Sequence, residues 1–234
     1  MVGLNLEYYI ITPKLSEVKW NEEISDYLLQ KQVALKKHLL IQFKEEIQEI
    51  RIGFKTLGIC WNSNVPSQNV NSCIESIEHL PQYPALSEKV WQIPVCYERA
   101  YSRDLISLAT SKNLTAEELI EIHSSNPYRL HFFGFLPGFM YLQGLHQALH
   151  SPRKSIPDKE VPAGSVAIGG SQTGIYPSNS PGGWHIIGQT PFTLFEPNTI
   201  PPVWAEPGDK VRFIPINEEE FLRLKKNPET PSWI

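Results

Sequence analysis

The stretch 131–196 limits what this chain can fold into more than any other feature. It holds ten of the 14 glycines, together with Pro137, Pro152, Pro157, Pro162, Pro177, Pro181 and Pro191. Proline removes a backbone donor and glycine costs backbone entropy, so long helices are excluded here. Between these punctuators lie short strand-suited runs, notably Ser165-Val166-Ala167-Ile168 and Trp184-His185-Ile186-Ile187. Short strands joined by individually shaped loops are the texture of a small β-barrel.

The chain before this stretch reads differently. Residues 4–12 and 15–20 are strand-like, with a turn at Pro13-Lys14. Asn21 stands at an N-cap position before a helical pattern that reaches about residue 40, with Glu22 and Glu23 in its first turn. Two strand-like runs follow within 47–61, separated around Gly53. A second helix is expected over 66–81, opened by Pro66 and closed by Pro81. Residues 89–97 form another strand. The order β-β-α-β-β-α-β suggests a small α+β layer with a boundary in the turn-rich segment 82–88. The expected domains are therefore 1–88 and 89–234.

A helical pair is expected at 102–124. Ser102 caps its first helix, and Thr115 with Glu118 has capping-box spacing for the second. The pair resembles a helix-turn-helix, but its only basic residues are Arg103 and Lys112 against Asp104, Glu117, Glu118 and Glu121, so a phosphate-reading role is disfavoured. After the central block, Glu206-Pro207-Gly208-Asp209 is a turn. Residues 210–216 are a strand, and Asn217 caps a last helix with an acidic start and a basic end.

The formal charge of −4 is spread along the chain, without the basic cluster that nucleic acid requires. The N-terminal segment lacks the basic region, apolar core and cleavage site of a signal peptide. Three scattered thiols, Cys60, Cys73 and Cys96, fit neither a disulfide framework nor a zinc site, and a reducing cytoplasm suits them. There is no phosphate-loop pattern, because Gly169-Gly170 is followed by Ser-Gln-Thr-Gly. No Ser lies in a G-x-S-x-G elbow. His146 and His150 are four apart without a third ligand, so no metal is expected.

The residues that remain have two readings, the lining of a binding site or loops whose polar groups satisfy one another. Val161-Pro162-Ala163-Gly164 forms a turn that fixes the direction of Ser165. Gln172 can donate and accept to an amide or carboxylate, Thr173 stands beside it, and Tyr176 offers a flat face with a polar tip. Gly182 and Gly183 allow close backbone approach and an anion-binding nest, or else simply shape a hairpin whose Trp184 plugs the barrel. Arg153 can clamp a carboxylate or phosphate, or anchor its loop.

The blocks GFLPGFMYLQGL, PRKSIP, VPAGSVAIGGSQTGIYP and SPGGWHIIGQTPFTLF resemble the signature blocks of the KipI/allophanate hydrolase subunit 1 family, densely from Ile93 to Pro215. The resemblance implies a ferredoxin-like N-terminal α+β domain followed by a mainly-β cyclophilin-like barrel. It implies the B-type component of an ATP-dependent 5-oxoprolinase complex, which opens the 5-oxoproline lactam to glutamate. A lactam carbonyl is a poor electrophile, which is why such a reaction is coupled to ATP. The implied partners are a C-type subunit related to biotin-dependent carboxylases and an A-type subunit of the LamB/YcsF family. The chain alone has no nucleotide motif and is expected to be inactive without them. Arg153, Ser165, Gln172, Thr173, Tyr176, Gly182 and Gly183 are the implied substrate-binding residues; the residue that does the chemistry is unassigned. The alternative readings are a KipI-like inhibitor of a histidine kinase and a urea or allophanate pathway component.

Three departures from the family pattern stand out. The usual Gly-Gly-Glu-Phe-Gly-Pro-Asp loop is Glu98-Arg99-Ala100-Tyr101-Ser102-Arg103-Asp104. A second Pro-Arg pair is Pro157-Asp158, and a Gly-Arg/Lys-Thr-Pro element is Gly188-Gln189-Thr190-Pro191. Two cations near the central block are thus replaced.

Overall fold

The computed structural model describes residues 6–65, 70–78, 82–229 and 231–234. Its contacts divide it into two units, Met1–Leu86 and Ser87–Ile234. The first contains β1 (Leu6–Thr12), β2 (Leu15–Trp20), α1 (Asp26–Gln42), β3 (Ile47–Ile52), β4 (Thr56–Trp61) and α2 (Val70–Glu78). The strands form one antiparallel sheet in the order β1-β2-β4-β3. Period-two patterning buries Val18 and Trp20 on β2 and Leu57, Ile59 and Trp61 on β4. Leu28, Leu35 and Leu39 of α1 are also buried, as helical spacing demands. Ser16, fully buried, accepts from the Trp61 indole N–H at 2.8 Å.

The N-cap of α1 is Ser25 rather than Asn21. Ser25 has extended backbone and its hydroxyl accepts from the Leu28 N–H at 3.2 Å. Asn21 instead donates to Glu7 at 3.1 Å. The expected ends of the second helix, at Pro66 and Pro81, lie outside the described residues, as do residues 4 and 5 of the first strand.

The second unit contains β5 (Val90–Cys96), α3 (Leu105–Ser111), α4 (Ala116–Ser124), β6 (Tyr128–Phe133), β7 (Met140–Gln143), β8 (Asp158–Val161), β9 (Ser165–Gly169), β10 (Gln172–Ile175), β11 (Ser180–Gly182), β12 (His185–Gln189), β13 (Lys210–Ile216), α5 (Glu218–Lys226) and β14 (Ser232–Trp233). Seven strands close a mixed barrel in the order β12-β9-β10-β7-β6-β13-β5, with Gln189 opposite Cys96 completing the ring. β5 joins this barrel and not the small sheet, because it pairs parallel with β13 over its whole length. β8 and β11 form a separate two-stranded ribbon.

The barrel interior is filled by Ile93, Val95, Leu130, Met140, Leu142, Val166, Ile168, Ile175, Val211 and Phe213 among others. Each such side chain contributes about 1.5–3 kcal/mol on burial. A second cluster of Phe139, Val161, Ala167, Tyr176, Trp184 and Ile186 is separate from it. On β9, Val166 and Ile168 face the interior while Ala167 faces this outer cluster. Trp184 therefore does not plug the barrel; it lies on the outside. Gly169 makes room for it, since a Cβ there would stand 2.5 Å from the indole.

The helical pair is present, and Thr115 and Glu118 form the full capping box of α4. The first helix starts later than its expected cap. Ser102 donates to the Tyr97 and Glu98 carbonyls, and Asp104 takes the N-cap position without a capping bond. The Asp104 carboxylate is used elsewhere: it accepts from the Ile186 N–H at 2.7 Å. Asn217 caps α5 as its position suggests.

Candidate functional site

The Gly- and Pro-rich loops fold over the outer face of β9, β10 and β12 and enclose a cavity of about 360 Å³. Phe135, Phe139, Tyr141, Tyr176 and Trp184 supply its apolar walls, and Arg153, Lys154, Gly182 and Gly183 its polar ones. The rings interlock edge to face. Phe139 meets Tyr176 at 5.0 Å and 87°, and Trp184 at 5.5 Å and 86°. The Arg153 guanidinium sits 5.8 Å from the Trp184 ring centre. Burial pushes the Tyr141 and Tyr176 phenols up, so both remain protonated donors at neutral pH.

The Arg153 loop is pinned on both sides. A bridge joins Ser151 to Gly170, His185 Nε2 donates to the Pro152 carbonyl at 2.9 Å, and the Lys154 N–H donates to the Gly183 carbonyl at 2.7 Å. The backbone is fixed while the Arg153 side chain projects to solvent at the cavity edge. Lys154 is committed: its ammonium lies 2.7 Å from both Asp104 and Asp158.

Gly182 and Gly183 line the cavity without forming an anion nest. Gly182 is part of strand β11, and neither residue has the positive φ that a nest alternates with. Glycine at 182 has another cause: a Cβ would collide with the Tyr176 hydroxyl. Phe135 stands at the rim, 62% exposed, with φ of +67°. The Leu136 N–H donates to the Gly134 carbonyl at 2.8 Å, which makes Phe135 the centre of the rare, strained kind of γ-turn. Such strain in a bulky residue marks functional rims more often than inert loops.

The structure brings Arg153, Tyr176, Gly182 and Gly183 together and separates the other three. Gln172, half-buried at the start of β10 opposite Gly169, lines neither this cavity nor the next. Thr173 is fully buried and donates to the Ala167 carbonyl at 3.0 Å while bonding His123 at 2.9 Å. Ser165 lines a second cavity of about 490 Å³ with Tyr101, Arg103, Asp158 and Gln189. The replaced family cations are both here. Asp158 pairs with Lys154, and Gln189 donates to the Ala163 carbonyl at 2.6 Å.

Lys154, Trp184 and Arg103 were not singled out as site residues from the sequence. The signal for Arg103 was present: a cation gained in one departing loop as cations were lost from two others. His146 and His150 flank a short 3₁₀ turn, His146 accepting from the Ala148 N–H and His150 bonding the Leu145 carbonyl. Three of the described helix N-termini do not suit a nucleotide. Those of α1, α4 and α5 are closed by Ser25, Thr115 and Asn217, and each has carboxylates in its first turn that repel phosphate.

The family model for the carboxyltransferase domain, subdomain C and D, matches residues 8–205. The chain is 44% identical over 151 residues to the 5-oxoprolinase B subunit of Escherichia coli O157:H7, covering 62% of this chain and 69% of that one. Among solved structures, TTHA0988 superposes with a TM-score of 0.74 at 30% identity over 91% of this chain, which spans 41% of the TTHA0988 chain. The K. lactis urea amidolyase shares the fold, with a TM-score of 0.80 at 17% identity over 98% of this chain and 16% of its own. A match across most of the chain, with such identity to a named relative, assigns this protein to the 5-oxoprolinase B-type family of carboxyltransferase-like domains.

Proposed function

We propose that this chain is the B-type component of an ATP-dependent 5-oxoprolinase complex that converts 5-oxoproline and water to glutamate. The observation that carries the reading is the aromatic cavity with Arg153 at its edge. 5-Oxoproline is a flat five-membered lactam with one carboxylate. The Phe139, Tyr176 and Trp184 rings suit the lactam ring, and the exposed fork of Arg153 suits the carboxylate. The Tyr141 and Tyr176 hydroxyls are donors of the kind a developing oxyanion needs. ATP is assigned to a partner, since the sequence carries no nucleotide motif and the N-termini of α1, α4 and α5 do not suit phosphate. The partners are a C-type subunit related to biotin-dependent carboxylases and an A-type subunit of the LamB/YcsF family, in the cytoplasm.

The same reading extends to the fold, with 1–88 ferredoxin-like and 89–234 cyclophilin-like. The succession β2-α1-β3-β4-α2 matches the first five elements of a ferredoxin-like unit, and β1, beside β2 in the order β1-β2-β4-β3, stands where its last strand would, a circular permutation that supports the former. The closed seven-strand barrel supports the latter.

The test is 5-oxoproline hydrolysis with ATP, using the chain alone and then with both partners. Turnover is expected only in the full mixture. There Arg153→Met raises KM about tenfold or more with little change in kcat, as loss of a charged ground-state contact does. A verified three-subunit complex that leaves 5-oxoproline intact refutes the reading.

A further inference from the structure

The two cavities differ in the sign of their charges. The first has only cations, Arg153 and Lys154, among its aromatic rings. The second has both signs, Arg103 and Lys159 beside Asp158 and Glu160. A simple anion suits the first; a zwitterion suits the second.

Three side chains show that the second cavity is built rather than incidental. Ser165 is only 1% exposed, yet its hydroxyl makes no hydrogen bond among the described residues and borders the cavity. The hydroxyl keeps contact with the solvent of the cavity, where it can donate to a ligand. Gln189 is oriented by its bond from Nε2 to the Ala163 carbonyl, which leaves its amide oxygen as the available acceptor. Arg103 is tethered by one nitrogen to the Glu160 carbonyl at 2.8 Å. Its other terminal nitrogen holds Asp158 only loosely, as an ion pair at 3.9 Å without a hydrogen bond, so an incoming carboxylate can compete for it.

We propose that this second cavity binds an acidic α-amino acid of the glutamate type. Arg103 takes one carboxylate and Lys159 the other. The ammonium lies toward the Gln189 amide oxygen and the Asp158 and Glu160 carboxylates, and the Ser165 hydroxyl donates to a carboxylate. The inference rests on the 5-oxoprolinase reading and deepens it. Ring opening turns an uncharged lactam nitrogen into an ammonium and adds a carboxylate, so the product, and not the substrate, carries the charge pattern of this cavity.

The test is isothermal calorimetry on the full chain with L-glutamate, glutarate and 5-oxoproline as separate probes. L-Glutamate is expected to bind saturably at one site, with glutarate, which lacks the ammonium, about tenfold or more weaker. Arg103→Met weakens L-glutamate by about tenfold or more and leaves 5-oxoproline unaffected. Lys159→Ala and Ser165→Ala repeat the test should Arg103→Met fail to fold, as judged by circular dichroism. Absence of saturable L-glutamate binding, equal binding of glutarate, or indifference to all three substitutions overturns the proposal. Binding to the isolated chain is read without turnover, so failure here is distinct from failure of the reconstituted complex.

Discussion

Acidification from pH 7 to about pH 5 should weaken the barrel through one residue, His123. The ring is completely buried at the end of α4 and stacks on Phe213 at 4.6 Å and 17°. Its hydrogen bonds fix its tautomer. Thr173 gives its hydroxyl proton to the Ala167 carbonyl, so its oxygen accepts from His123 Nε2 at 2.9 Å. Nδ1 is then the acceptor for the Tyr97 hydroxyl, also at 2.9 Å. Both ring nitrogens are engaged as a neutral imidazole, and no carboxylate is among these partners to stabilise a second proton. Burial accordingly pushes the His123 pKa from 6.5 down to about 3. The unfolded chain takes up a proton near pH 6.5 that the folded chain refuses, so stability is full above that value and falls as pH drops toward 3. Each unit of this window is worth about 1.4 kcal/mol, which gives roughly 2 kcal/mol lost by pH 5. The assay is urea unfolding of the full chain at several pH values beside His123→Gln, which removes this titration and leaves the other six histidines in place. The variant loses about 1–3 kcal/mol at neutral pH, because the Gln fits the two bonds poorly. Its further loss on acidification is about 2 kcal/mol smaller than that of the parent. Parallel curves for the two proteins, or a His123 ring signal that titrates near pH 6.5, would refute the reasoning.

Three further outcomes are expected. Gly182→Ala drives a methyl into the Tyr176 hydroxyl and costs about 1–3 kcal/mol with a shift in tryptophan fluorescence, whereas Gly183→Ala, whose nearest neighbour would be 3.7 Å away, leaves the melting temperature unchanged. Ser16→Ala strips the buried Trp61 indole N–H of its acceptor and lowers stability by about 1–3 kcal/mol in denaturant titrations. Phe135→Gly relieves a positive φ worth about 1–2 kcal/mol and gives up two edge-to-face contacts of similar total size, so stability barely changes while 5-oxoproline affinity falls; a large loss of stability would make Phe135 a structural plug.

Much of the fold was legible because local chemistry and tertiary structure agree. Thr115 and Glu118, and Asn217 before three glutamates, are end signals that act within one turn and depend on little else. Asn21 misled because Asn and Ser are comparable caps, and the choice of Ser25 turns on where extended backbone ends. Ser102 misled because its hydroxyl turns back to the Tyr97 and Glu98 carbonyls five and four residues earlier, a local alternative that competes with capping the helix ahead. The fate of β5 was hidden too: its parallel partner β13 lies more than a hundred residues away, and parallel pairing leaves no mark on the sequence between.

The site was legible as a region but not as a partition, and β9 shows why. Ser165, Ala167 and Gly169 point outward and Val166 and Ile168 inward, yet all five are buried. Alternation of polarity reports a solvated face; a strand covered on both sides reports only that it is a strand. What differs between the faces is size. The outward residues are Ser, Ala and Gly, small enough for Trp184 to lie flat against Gly169 and for the aromatic cavity to form over them. The same smallness leaves Ser165 bordering the second cavity at the strand's start. The β8–β11 ribbon contributes to both spaces, Gly182 to one and its register partner Asp158 to the other. Lys154, on the aromatic side, reaches Asp158, and Arg103 approaches the same carboxylate from the other. An anion that engages Arg103 therefore competes with Asp158, and the weaker its hold on Asp158, the more of that carboxylate is left to Lys154. Charge exchanged between Arg103 and Asp158 relative to the family pattern thus falls on the one wall that both cavities share, where it acts on the two together.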